Sequence, residues 1–343
     1  MATAPGKKPI EKPAKKPAKR TGHKTGRRSV GQVSGQSIVI EAAWMYYHDG
    51  LTQSEIAKLL QVSRATVVNY LQEARERGLI RITLAPEVFT SHQLAQDLRE
   101  RFDLQAAFVL PSETGGSEAA LMRVARGAAQ WLPSLLDPGD RLGVSWGRTV
   151  YEVAEALDKI TLRDVTVSQL VGSMRTPYGF TAEICSAHMA QNLGAKCINL
   201  HAPAVLSDPD LAARLRDEPL IHAQLEALSH CNKAIFAAGS CAPDSHIVSS
   251  GVASADDLDW YVSQGATGVL CGRFIDATGA AIAGALDDRM IGVTLDKLQG
   301  LDMGLLVSDG PDKVIPMRSA IAGGYVTHLV TSTKTAEAML RQC

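Results

Sequence analysis

Residues 50–82 have the sequence GLTQSEIAKLLQVSRATVVNYLQEARERGLIRI, which predicts two short helices joined by a tight turn. Thr52 is a good N-cap, and Glu55 three residues later completes a capping box. The apolar residues Ile56, Leu59 and Leu60 then recur at helical spacing. This stretch decides the fold of the N-terminal part, because a second helix follows it after only a short turn.

The second helix starts at another N-cap, Ser63, after the turn formed by Gln61 and Val62. Its apolar side comprises Val67, Val68, Tyr70 and Leu71. Gly78 is a stop signal, and the alternation over residues 79–84 favours a short β wing. Residues 38–48 can form a first helix behind the pair, so the whole predicts a helix-turn-helix.

The beginning of such a second helix enters the major groove of DNA. Arg pairs bidentately with guanine, Asn pairs with adenine, and the methyl groups of Thr and Ala contact thymine. The other interpretation is a plain helical hairpin, which the Ser-Arg-x-Thr helix start disfavours. We expect DNA contacts from Thr52, Gln53, Ser63, Arg64, Ala65, Thr66, Asn69 and Tyr70.

Charge is distributed unevenly along the 343 residues, although the net charge is only −1. Residues 1–30 contain ten Lys or Arg and one acidic residue, Glu11. Lys, Pro, Ala and Gly dominate this tail, a composition that predicts disorder. A basic tail beside a DNA-binding unit can add phosphate contacts, or it can be a solvated extension only.

The composition is that of a globular protein, with 45% hydrophobic residues. Neither a membrane-spanning run nor an apolar signal-peptide core is present, so we expect a cytoplasmic protein without a membrane partner. Six cysteines occur without a CxxC pair or metal-ligand spacing, which predicts reduced thiols and no metal site. We also expect no cofactor.

From residue 105 onward, short apolar runs alternate with amphipathic segments, the pattern of a parallel sheet covered on both faces. The pattern therefore predicts an α/β fold with a Rossmann-like, mostly parallel sheet. The predicted strands lie within residues 106–110, 141–147, 165–172, 195–200, 233–239, 266–272, 304–308 and 326–332. The intervening helices are predicted around residues 118–136, 149–157 and 181–193.

Ligands of such sheets bind beyond the carboxyl ends of the strands. The loop GVSWGRT, residues 143–149, combines a helix N-terminus with hydroxyl groups and an Arg, and can hold an anion, most naturally a phosphate. Lys313 begins a helix, where a bound anion would offset its unfavourable interaction with the helix dipole. Asp276 can accept hydrogen bonds from sugar hydroxyls or stabilise a turn. The expected effector-binding residues are Ser145, Trp146, Gly147, Arg148, Thr149, Gly172, Ser173, Asp276 and Lys313.

Together these residues give the chain a resemblance to the SorC family of bacterial transcriptional regulators, over about residues 38–342. The N-terminal motifs of the family match Tyr46, Tyr47 and Gly50 and residues 52–60, 62–64 and 78–82. Its C-terminal motifs match residues 145–149, 272–279, 320–324 and 329–336, together with Lys313. The chain departs from the family at Ser145, where Gly is usual, and at Ser332, where Asp is usual. It also carries Asp309 close to the expected phosphate site.

This resemblance implies a winged-helix-like DNA-binding domain followed by a sugar-binding domain of the ribose-phosphate isomerase and glucosamine-phosphate deaminase type. It implies a regulator, such as a repressor, that binds operator DNA as a homo-oligomer, a dimer or tetramer. A sugar, polyol or sugar phosphate would be its effector. The departures at Ser145 and Asp309 leave open whether that effector is phosphorylated.

The expected organisation is a basic tail over residues 1–35, a helix-turn-helix domain over 36–86, a linker helix over 87–104 and an effector domain over 105–343. Within the linker, Leu94, Leu98 and Phe102 form an apolar stripe for the core or a partner subunit.

Two other functions remain open at this point. One is a sugar-phosphate isomerase or deaminase, but Asp276 as a base has no convincing acid partner, and His201 and His246 are expected at the surface or in loops. The other is a constitutive DNA-binding protein whose ligand domain is inactive. We expect no catalytic residues.

Overall fold

The computed structural model describes residues 35–80, 82, 84–112, 116–175 and 179–341. The basic tail expected over residues 1–35 lies outside the described residues except for Gly35. Contacts divide the chain into two compact units, Met1–Ile82 and Thr83–Cys343. The finer domain boundaries given above stay a prediction.

The described residues of the first unit form three helices, α1 (Gly35–Tyr47), α2 (Gln53–Leu60) and α3 (Arg64–Glu76). The capping box forms: Glu55 N–H donates to Thr52 Oγ1, and Thr52 N–H donates to the Glu55 carboxylate at 2.8 Å. Ser63 caps α3 through a bond from Thr66 N–H at 3.0 Å. The small core consists of Val39, Ala42, Ala43, Ile56, Val67, Leu71 and Ala74.

The expected β wing does not form a strand in the part of residues 79–84 that the structure describes, namely residues 79, 80, 82 and 84. A strand needs a neighbour for its backbone N–H and C=O groups. The first unit offers no second strand among its described residues, so alternation of side chains alone did not produce one.

The second unit contains a seven-stranded parallel sheet in the order β1-β9-β8-β5-β2-β3-β4. Its strands are β1 (Ala106–Leu110), β2 (Arg141–Val144), β3 (Thr166–Gln169), β4 (Lys196–Ile198), β5 (Lys233–Phe236), β8 (Met303–Val307) and β9 (His328–Ser332). Successive residues of a strand point to opposite faces. In β1, Ala107 and Val109 therefore belong to one buried cluster, and Phe108 and Leu110 to the other.

The neighbour predicted for one strand was wrong. Residues 266–272 were expected to continue the parallel sheet, but β6 (Gly268–Leu270) pairs antiparallel with β7 (Arg273–Ile275) in a separate hairpin. Cys271 and Gly272 form the two-residue turn, both with positive φ (49° and 83°), as tight hairpins require. An apolar run indicates burial but does not identify its neighbour.

Helices cover both faces of the sheet and connect its strands. Two of them precede the sheet, α4 (Pro86–Thr90) and α5 (Gln93–Phe102). The others are α6 (Ser117–Trp131), α7 (Arg148–Ala156), α8 (Ala182–Leu193), α9 (Pro209–Asp217), α10 (Pro219–Ser229), α11 (His246–Ser249), α12 (Ala255–Ser263), α13 (Ala285–Arg289), α14 (Val314–Ala322) and α15 (Thr333–Arg341). None of the helices in the described part of the chain is long and apolar enough to cross a membrane.

The direction in which the chain adds strands to the sheet reverses between β2 and β5. From β2 the chain continues outward to β3 and β4, then returns to the other side of β2 and proceeds through β5, β8 and β9. The helix after β2 packs its Val150 and Val153 on one face, whereas Ile247 after β5 packs on the other. Loops that diverge in this way leave a crevice at the carboxyl ends of the strands.

Candidate DNA-reading helix and effector cleft

The exposed beginning of α3 contains most of the residues that we expect to read DNA. Ser63, Arg64, Ala65 and Asn69 are exposed. Thr66 and Tyr70 are half-buried, and Tyr70 packs against the small core. The helix is fixed from behind by Val67, Leu71 and Ala74, which are fully or almost fully buried. The arrangement presents one polar face of a rigid helix to solvent.

Arg64 is held by a neighbour on the preceding helix. Its Nε–H donates to Gln53 Oε1 at 3.2 Å. A guanidinium has five N–H donors, so this bond uses only one of them. Gln53 therefore orients Arg64 and leaves donors available for a bidentate contact.

The hydroxyl groups of Thr52 and Ser63 have structural partners. Thr52 Oγ1 lies 2.7 Å from the Glu55 carboxylate. The hydrogen bond with the Thr52 side chain is the largest cause of the lowered pKa of this carboxylate. Ser63 Oγ lies 2.8 Å from Thr66 Oγ1. Their DNA contacts stay predictions, since both hydroxyls already stabilise helix starts.

The crevice between the loops that follow β2 and β5 forms a cleft of about 220 Å³ at the carboxyl ends of β2, β5 and β8. Sequence reasoning expected six of its residues, and the structure brings them together. The lining consists of Ser145, Trp146, Gly147, Arg148, Thr149 and Lys313 with Leu121, Ala237, Ala238, Gly239, Ser240, His246, Ile247, Val269, Cys271 and Gly272.

Helix α7 directs its N-terminus toward this cleft. Gly147 is the N-cap, with φ 108°, and α7 has no side-chain cap. The first amide N–H groups of a helix have no partner within the helix and carry partial positive charge. These groups suit an anionic oxygen.

Ser145 is buried beneath the cleft, only 2% exposed. Its N–H donates to the Ile235 carbonyl at 3.0 Å, and its Oγ lies 3.5 Å from Cys271 Sγ. Burial raises the pKa of the Cys271 thiol to about 11, so this group stays a neutral thiol. The serine that replaces the usual glycine therefore joins the floor of the cleft to the β6–β7 turn.

Among the described residues of the lining, the two charged side chains, Arg148 and Lys313, are both cations. Arg148 pairs with Glu118 and lies 4.0 Å from the Glu152 carboxylate, whose pKa is raised by burial. Lys313 Nζ pairs with Asp312 at 2.8 Å, and its side chain is 28% exposed. Glu118 and Asp312, the ion-pair partners of Arg148 and Lys313, are solvent-accessible carboxylates that a bound anion can replace, whereas Glu152 is mostly buried.

Three expected effector residues do not line this cleft. Ser173 lines a second cleft of about 600 Å³ with Met174, Arg175, Pro203, Ala204, Val205 and residues 248–252. Gly172 packs against backbone: a Cβ there would lie 2.6 Å from the Pro203 carbonyl oxygen. Asp276 Oδ1 accepts bonds from Thr278 N–H, the Thr278 hydroxyl and Ala280 N–H, and thus stabilises a turn.

Asp309 does not line the cleft either. Its Oδ1 accepts from the hydroxyls of Ser332 and Thr335 at 2.5 and 2.6 Å. The carboxylate therefore lies at the start of α15, where a negative charge is favourable. Two of the three departures from the family pattern, Asp309 and Ser332, are therefore bonded to each other.

His246 is the titratable residue among the cleft residues that sequence reasoning missed. We expected it, like His201, at the surface or in a loop, and His201 is exposed. His246 instead opens α11 with its ring against Trp146, centroids 4.7 Å apart. The available signal was its position in the loop that follows β5, at the carboxyl edge of the sheet.

Comparison with known proteins agrees with this organisation. The Sugar-bind family, a sugar-binding domain, matches residues 86–341, and the MarR family matches residues 42–88. The transcriptional regulator YjhU of Escherichia coli is 36% identical over 307 residues, covering 88% of this chain and 94% of that protein. The transcriptional regulator LsrR of Escherichia coli is 31% identical over 326 residues, covering 88% and 94%.

A solved structure extends the agreement to the fold. The full-length sorbitol operon regulator SorC from Klebsiella pneumoniae superposes with a TM-score of 0.74 at 24% identity. The match covers 90% of this chain and all of that one. At this identity, the similarity concerns the fold alone.

Proposed function

Since the chain belongs to the SorC family of transcriptional regulators with a sugar-binding domain, we propose that it controls a carbohydrate or polyol operon in response to a phosphorylated, polyhydroxylated metabolite. Its relatives are transcriptional regulators rather than enzymes. The effector binds in the cleft of the second unit, and α3 of the first unit binds operator DNA.

The observation that carries the choice of ligand is the joint position of the α7 N-terminus and Lys313 in one cleft. Uncapped amide groups and a cation together favour a phosphate. The hydroxyls of Ser240 and Thr149 line the same cleft and suit a polyol chain. Asp309 is no obstacle to phosphate, because its carboxylate is bonded to Ser332 and Thr335.

Operator DNA is the second partner that we propose, with contacts from the exposed residues of α3. Operators recognised by such helices contain two half-sites, one for each protomer. We therefore propose a homo-oligomer, at least a dimer, in the cytoplasm, where its DNA partner lies. The proposed contacts of Arg64 and Asn69 with bases set the sequence preference.

Thermal unfolding with a panel of sugars, polyols and their phosphates tests the proposed effector. A compound that binds only the folded protein raises Tm. We expect a sugar phosphate to raise Tm in the wild type and to do so much less in Lys313→Gln. Equal stabilisation of both proteins, or stabilisation by unphosphorylated compounds alone, would contradict a phosphate site at Lys313.

A further inference from the structure

His246 has a buried ring nitrogen that no group of the described chain satisfies. Its Nε2 is inaccessible to solvent and makes no hydrogen bond, whereas Nδ1 lies on the side of Gly147. Leaving a buried nitrogen unpaired destabilises the folded protein. Arg148 Nε, in the lining of the same cleft, is likewise buried without a hydrogen-bond partner.

The ring is held in a defined orientation. It lies against Trp146, which is 8% exposed, with an interplanar angle of 35°. His246 is also the first residue of α11, whose Ile247 is buried in the core on that face of the sheet. A fixed ring with an unpaired nitrogen resembles a ligand contact more than a surface residue.

The surroundings keep this ring neutral in the empty cleft. Burial lowers the pKa of His246, and the charge of Lys313 lowers it further. Arg148, at the start of α7, is the other charged side chain of the lining, and the Cys271 thiol of the β6–β7 turn is neutral. A neutral imidazole has one N–H donor and one acceptor, so it can bond to a hydroxyl or to an anionic oxygen.

We infer that His246 is a specificity-determining residue of the cleft, whose Nδ1, on the side of the α7 N-cap Gly147, takes an oxygen of the bound metabolite. The inference rests on the proposed function, because it requires that the cleft hold the effector. It adds a residue that belongs to none of the motifs behind the family resemblance. Removing the imidazole therefore weakens binding, whereas it does not harm the empty protein.

The test compares His246→Gln and His246→Phe with the wild type and with His201→Gln, in which an exposed histidine paired with Gln224 is changed. The probes are D-ribose 5-phosphate, D-fructose 6-phosphate, D-glucitol 6-phosphate and their unphosphorylated parents. For each protein, Tm is measured without ligand, and the dissociation constant of the stabilising probe is measured by calorimetry.

We expect the phenylalanine variant to bind at least tenfold more weakly than the wild type, with an unliganded Tm equal to or above it. The His246→Gln variant, which keeps a donor and an acceptor, should lose less affinity than His246→Phe. The control His201→Gln should bind the probe like the wild type. A lower Tm of both unliganded His246 variants would instead assign the residue a structural role and overturn the inference.

Two further outcomes separate this inference from the proposed function. If the wild type binds a probe and both His246 variants bind it equally well, the inference is wrong and the effector cleft stands. If no probe binds the wild type, the proposed function fails and the inference fails with it.

Discussion

At the scale of single residues, Arg64, which Gln53 orients, is one of the side chains that we expect to set DNA sequence preference. Arg64→Ala should weaken binding to a preferred site by about 1–3 kcal/mol, the usual contribution of a bidentate base contact. Gln53→Ala should cost less, because it removes only the bond that orients the guanidinium. Binding is measured by fluorescence anisotropy on DNA from the upstream region of neighbouring genes.

The double variant separates orientation from direct contact. If Gln53 acts through Arg64, the Gln53→Ala change adds little once Arg64 is Ala. Fully additive losses would mean that Gln53 contacts DNA by itself, and unchanged binding in Arg64→Ala would contradict the proposed role of the α3 start.

His328 gives a prediction for the pH dependence of stability. Burial, with a smaller contribution from Lys233, lowers its pKa to about 4, against 6.5 ordinarily. Between pH 4 and pH 6.5 this histidine is therefore protonated in the unfolded chain but neutral in the folded protein. Stability consequently falls as the pH falls from about 6.5 to 4. The loss attributable to this residue is roughly 2–4 kcal/mol.

His328→Gln should remove that part of the pH dependence. Urea unfolding at pH 7 and at pH 4.5 measures it in both proteins, with His201→Gln as an exposed control. The same loss of unfolding free energy in wild type and His328→Gln would exclude His328 as its source.

At the scale of elements, helix α5 belongs to the core of the second unit. Leu98 and Ala95 are fully buried, and Leu94 and Phe102 pack against the same cluster. This packing stabilises α5 far more than helix propensity does. The connecting helix expected from the sequence therefore has its apolar stripe against the effector domain.

Leu98→Ala should lower the free energy of unfolding by about 2–5 kcal/mol, since it leaves a cavity. Glu100→Ala, an exposed change on the same helix, should stay within about 0.5 kcal/mol. Urea unfolding of both variants at pH 7 provides the comparison. A Leu98→Ala variant as stable as Glu100→Ala would contradict the docking of α5.

The sequence predicted elements whose signal is local. Strand β1 matches its prediction at both ends, and the capping box at Thr52 forms as expected. The strand expected within residues 79–84 is absent from its described residues, and the predicted partner of β6 was wrong, because alternation and burial do not specify a neighbouring strand. Asp276 was ambiguous for a similar reason: the same Asx pattern serves a turn or a ligand.

The cleft was predictable only in part. Residues 145–149 and Lys313 come together because the carboxyl ends of parallel strands share one edge of the sheet. His246 was not predicted as a cleft residue, because no motif surrounds it and only tertiary packing brings it against Trp146. From the sequence, Asp309 was expected close to the phosphate site, where its charge would repel a phosphate. In the structure its carboxylate accepts hydrogen bonds from Ser332 and Thr335 instead of lining the cleft.

At the scale of the whole molecule, the basic tail supplies charge that the helix-turn-helix lacks. Residues 1–30 contain ten Lys or Arg and one Glu. Deleting them should weaken DNA binding for all sequences alike and reduce the salt dependence by about 0.9 in log–log slope for each lost phosphate contact. Anisotropy titrations at several salt concentrations test this, and an unchanged slope would show that the tail does not contact DNA.

Control of transcription by a metabolite requires that ligand in the second unit changes DNA binding by the first. Coupling of this kind is reciprocal and usually amounts to about 1–3 kcal/mol, or roughly 5–150-fold in affinity. The most direct measurement is the affinity of the full chain for its upstream DNA with and without the sugar phosphate that raises Tm. We predict a change of at least fivefold, whereas a DNA affinity unchanged by saturating ligand would show that the effector domain does not control DNA binding.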